Sequence, residues 1–75
     1  MVFDEIKNIL ADQLTVKEDE ITMSSNLADD LGADSLDAID IVMTIEDEYQ
    51  IEVPDEVVEE MKTVSDIVNY IESQI

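Results

Sequence analysis

The chain predicts an all-α fold: a small four-helix bundle with three longer helices, one short third helix and a long first loop. Apolar residues recur at helical spacing in separate segments, no stretch alternates as a strand does, and 75 residues include only one glycine and one proline. No internal repeat, low-complexity tract or domain boundary interrupts it. Residues 1–75 are therefore expected to form a single domain, burying roughly 60 % of the surface the unfolded chain exposes.

Val2, Phe3, Ile6, Ile9, Leu10 and Leu14 set the stripe of a first helix, about three turns long and ending near Leu14. Residues 15–34 keep no period and contain Thr15, Thr22, Ser24, Ser25, Asn26 and Gly32, while Val16, Ile21, Leu27 and Leu31 are spaced to pin a long loop to the core. A connection of that length in a small domain usually has a function of its own. The second helix starts at Ser35 or Leu36 and runs to about Tyr49, with Asp34 or Ser35 capping its free N–H groups and Asp37 in its first turn. Pro54 before Asp55 and Glu56 starts a short third helix that reaches about Met61. Thr63-Val64-Ser65-Asp66 resembles a capping box with aspartate in place of glutamate, and Val64, Ile67, Val68 and Ile71 carry the fourth helix to the C-terminus.

Charge narrows the partners. Twenty-one acidic residues face three lysines (Lys7, Lys17, Lys62) and no arginine, a formal net charge of -18. Such a surface repels nucleic-acid phosphates and anionic lipid headgroups, so neither nucleic acid nor membrane is an expected partner. Proteins with basic patches are, and their encounter is fast and salt-sensitive. No basic-then-apolar leader or long apolar run is present, and the chain is expected to be a cytoplasmic, soluble monomer.

The second helix has two stripes. Ala38, Ile41, Val42, Ile45 and Tyr49 form the side expected to face the core. Leu36, Ile39 and Met43 fall opposite, interleaved with Asp40 and Asp47 and flanked by Asp37, Glu46 and Glu48. Packing alone does not require the second stripe. An apolar strip bordered by carboxylates matches a shallow hydrophobic groove rimmed by Lys and Arg on a partner.

Ser35 lies between two aspartates in Gly32-Ala33-Asp34-Ser35-Leu36-Asp37. A serine nucleophile needs a base, and a chain without histidine cannot build the common triad; Asp37 also breaks the Gly-x-Ser-x-Gly elbow. No catalytic residue is assigned, and the protein is not expected to be an enzyme. A calcium loop starting at Asp30 fails as well, with Ser35 where glycine is required and Ile41 where the bidentate glutamate belongs, so no metal site is expected. Two readings of Ser35 remain: a helix cap, or a hydroxyl carrying a phosphodiester that the helix N-terminus favours. Asp34 and Asp37 oppose an anion there and push an attached arm outward.

Length, acidity, the amphipathic first helix, Asp30-Leu31-Gly32-Ala33-Asp34-Ser35-Leu36-Asp37, then Pro54-Asp55 and a capped last helix together resemble the acyl carrier proteins of bacterial-type fatty acid synthesis. The resemblance covers nearly the whole chain. It implies that a phosphopantetheinyl transferase moves 4′-phosphopantetheine from coenzyme A onto Ser35, and that the thiol of this arm carries growing fatty acyl chains as thioesters among fatty acid synthase enzymes. That accords with a chain lacking cysteine. The same resemblance assigns partner recognition to Asp34, Leu36, Asp37, Ile39, Asp40, Met43, Glu46 and Asp47, and an acyl-chain pocket to Ile45, Val53, Val57 and Met61. A discrete polyketide, aminoacyl or peptidyl carrier is the nearest alternative. An unmodified acidic protein-binding module is the other, and it leaves the residues around Ser35 unexplained.

Overall fold

A computed structural model describes residues 2–75 as four helices in chain order: α1 (Val2–Leu14), α2 (Ser35–Tyr49), α3 (Asp55–Glu60) and α4 (Val64–Gln74). Their apolar faces converge on one core. Ile6 and Leu10 from α1, Ile41 and Ile45 from α2, and Val64, Ile67 and Ile71 from α4 are almost wholly excluded from solvent. Burying side chains of this size stabilises the fold by about 1.5–3 kcal/mol each, and together they outweigh weak helix propensity in short segments. α1 packs against α2 and α4, while α3 packs against α2.

The second and fourth helices start where side chains satisfy free backbone N–H groups. Asp34, not Ser35, caps α2: its carboxylate accepts the Asp37 N–H at 2.9 Å, and the Asp37 carboxylate accepts the Asp34 N–H at 3.2 Å. Thr63 and Asp66 make the corresponding reciprocal pair at α4. The backbone N–H of Thr63 holds the Asp66 carboxyl below its ordinary pKa; desolvation opposes it, and the Lys62 N–H and the Thr63 side chain add to the lowering. Pro54 precedes α3, which has no fully buried residue of its own; Met61, just beyond it, is the buried anchor.

The connection from α1 to α2 is more ordered than its lack of period implies. It contains one 3-10 turn (Glu18–Glu20) and buries Ile21, Ser25, Leu27, Leu31 and Ala33. Its backbone is stitched to the start of α4: Leu27 N–H donates to the Lys62 carbonyl at 2.9 Å, Val64 N–H to Ser25 at 3.1 Å and Ser65 N–H to Met23 at 2.9 Å. An isolated antiparallel bridge joins Asn26 to Thr63, and no strand occurs among the described residues. Ala38 and Tyr49, placed on the core stripe by period, are only half-buried.

Candidate serine site at the start of the second helix

The loop delivers Ser35 to the surface through two local devices. Gly32 adopts φ +73°, a left-handed conformation that side chains with a Cβ resist, although the space around it is open; its role is conformational. Ala33 then turns inward and donates its N–H to the Leu27 carbonyl at 2.8 Å. Ser35 follows as the first helical residue and is exposed.

With Asp34 acting as the cap, the serine hydroxyl is free. Among the described residues it makes no hydrogen bond, and neither do the backbone N–H groups of Ser35 and Leu36, whereas that of Asp37 is occupied by Asp34. Two open donors and the positive end of a four-turn helix accommodate a phosphodiester on the Ser35 oxygen. The residues present therefore suit a phosphate-linked group. Asp34 and Asp37 remain close by as opposing charges, though each is tied into the cap.

Behind Ser35 lies a cavity of about 480 Å³ whose walls include Leu27, Ala33, Ala38, Met61 and Lys62. A second hollow of about 470 Å³ separates α2 from α3, between Ala38 and Ile39 on one side and Asp55, Val58 and Glu59 on the other, and Ser35 borders both. Of the four residues the resemblance assigns to an acyl-chain pocket, Met61 lines the first of these two hollows. Ile45 is wholly buried in the core, Val53 is buried, and Val57 packs half-buried against the core. Leu27 and Ala33 line the first of these hollows and Val58 the second, and only tertiary pairing brings them there.

The outer stripe of α2 is where the sequence places it. Leu36, Ile39 and Met43 are 72, 51 and 61 % exposed, and Asp34, Asp40 and Asp47 are exposed alongside them. Asp37 and Glu46 differ, being half-buried with structural duties: Asp37 closes the cap, and Glu46 accepts the Val53 N–H at 2.9 Å. The Asp34–Asp37 pair has the same i, i+3 spacing as the Thr63–Asp66 box, whereas residue spacing does not reveal the Glu46 bond to Val53.

Comparison with known proteins gives a consistent picture. The family described as the phosphopantetheine attachment site matches residues 4–71. An acyl carrier protein of Clostridium perfringens is 56 % identical over 70 residues, covering 93 % of this chain and 92 % of its own length. One from Clostridium acetobutylicum is 51 % identical over 73 residues, covering 97 and 95 % of the two chains, and one from Campylobacter fetus is 45 % identical over 71 residues, covering 95 and 92 %. A solved structure from Mycobacterium tuberculosis, provisionally assigned as an acyl carrier protein, superposes with a TM-score of 0.94 at 27 % identity and full coverage of both chains. A free serine on a helix start, a cavity beside it and identity along almost the entire chain lead to one assignment: the chain belongs to the acyl carrier protein family, whose members carry phosphopantetheine.

Proposed function

We propose that Ser35 is the residue that bears 4′-phosphopantetheine, and that residues 1–75 act as one acyl carrier domain serving fatty acid synthesis. Family membership makes the protein a carrier and not a catalyst. The observation that carries the assignment to Ser35 is its exposed, unbonded hydroxyl at the first position of α2, with the helix already capped by its neighbour. In the loading reaction the Ser35 oxygen loses its proton to a base on the transferase and forms a bond to phosphorus. The pyrophosphate P–O bond of coenzyme A breaks, and adenosine 3′,5′-bisphosphate leaves. When bound, the group supplies a terminal thiol that holds acyl chains as thioesters.

The rest of the chain supports that role. Leu36, Ile39 and Met43 offer apolar contact, and Asp34, Asp40 and Asp47 orient it toward basic patches on the transferase and the synthase enzymes. Asp37 and Glu46 act there mainly by fixing the ends of α2. No helix among the described residues is long and apolar enough to cross a membrane. A monomer working in the cytoplasm among separate enzymes is the setting this reading assigns.

Intact mass after incubation with coenzyme A and a phosphopantetheinyl transferase tests it. Wild type gains one phosphopantetheine, while Ser35→Ala gains none and keeps the wild-type circular dichroism melt. An unmodified wild type, or a modified Ser35→Ala, overturns the assignment.

A further inference from the structure

Lys62 stands out against the charge of the molecule. Of three lysines among 21 acids, Lys7 is engaged on α1, its ammonium 3.8 Å from Asp4 and 5.0 Å from the centroid of the Phe3 ring. Lys17 precedes the acidic turn at Glu18–Glu20. Lys62 is exposed, makes no ion pair among the described residues, and is the lysine that lines the cavity bordered by Ser35.

Its backbone is fixed on both sides. The Lys62 carbonyl accepts the Leu27 N–H at 2.9 Å, and its N–H donates to the Asp66 carboxylate at 3.1 Å. The side chain therefore starts from a rigid corner between α3 and α4, with only its own flexible stem to order. Asp29 and Asp34 lie on the same cavity walls and raise the cost of placing an anion there. The two free N–H groups of α2 offset part of that cost, and Lys62 is the one basic residue among those that line the cavity.

We propose that the Lys62 ammonium pairs with the phosphodiester attached to Ser35 and holds the root of the arm over the cavity that both residues line. This rests on the reading that Ser35 is the loaded residue. It reverses the expectation from Asp34 and Asp37 alone, which would turn the arm outward. The pair is a solvated one, so it biases the arm's direction without locking it. An acyl carrier needs that balance, since partners must be able to draw the arm away.

Lysine-selective NMR spectra of unloaded and loaded protein test the pairing, with intact mass establishing loading beforehand. On loading, the Lys62 side-chain resonances are expected to move, while those of Lys7 and Lys17 stay in place. The phosphorus resonance of loaded Lys62→Gln should shift and narrow relative to loaded wild type as the arm's root gains freedom. Equal movement of all three lysines, or an unchanged Lys62, in protein shown by mass to be loaded overturns the pairing and leaves the Ser35 assignment intact. Failure to load overturns both.

Discussion

Tyr49 holds a hydroxyl in a poor place. Its ring is half-exposed, yet the oxygen is enclosed and has no hydrogen-bond partner of good geometry among the described residues. Burial first, then the adjacent Glu5 carboxylate and that of Glu48, hold the phenol well above its ordinary value of 10.0. Because the folded value is the higher one, the folded chain keeps this proton longer than the unfolded chain does. The resulting stability is complete below the ordinary value and is lost as pH rises through the folded one. Tyr49→Phe removes an unpaired polar atom, so at neutral pH its melting temperature should equal or exceed that of wild type, by up to about 1 kcal/mol in stability. In melts recorded from neutrality to above pH 10, the variant should lose less stability than wild type over the alkaline limb. Parallel alkaline limbs would contradict this account. The period of α2 puts Tyr49 on the core stripe, where it is only half-buried; the fate of its oxygen depends on Glu5, far away in the chain, and is not legible there.

At the scale of the element, α2 separates two kinds of duty. Ile41 and Ile45 hold the fold, whereas Met43 is 61 % exposed and contributes little to it. Met43→Ala is therefore expected to stay within about 0.5 kcal/mol of wild-type stability. If the outer stripe docks partners, its loss from the middle of the contact lowers the kcat/KM of a fatty acid synthase partner by roughly tenfold. A partner that turns over the loaded variant as well as the wild type would remove the stripe from the interface. The helices were legible because burial imposes a period on residue type, and α3 because Pro54 cannot sit inside a helix. The loop's apolar pins Ile21, Leu27 and Leu31 were legible too, but its backbone bonds were not. Its stitches use the carbonyls and N–H groups of Met23, Ser25 and Leu27, which every residue possesses, so no residue type announces them. The cavity stayed hidden for the same reason, since Leu27 and Met61 meet only after those stitches form.

The whole molecule measures 26 × 25 × 19 Å and carries a formal net charge of -18. At about 10 mM salt the screening length is about 30 Å, so every charge senses every other; at about 0.1 M it falls to about 10 Å. The melting temperature should rise over that interval because screening relieves the compact state more than the expanded one. Divalent ions should act at lower concentration, since ionic strength grows with the square of their charge. A melt indifferent to salt would show that self-repulsion is not limiting stability. The same polyanion must also be completed during synthesis, and here the bonds from Leu27 to Lys62 and from Val64 to Ser25 have a further consequence. A nascent chain that has already made α1, the loop and α2 still lacks the partners that order the loop, because these lie at the entrance to the last helix. The serine's surroundings are thus finished only once residues 62–65 have been made, and a chain broken off before them presents the attachment sequence without the bonds that hold its loop.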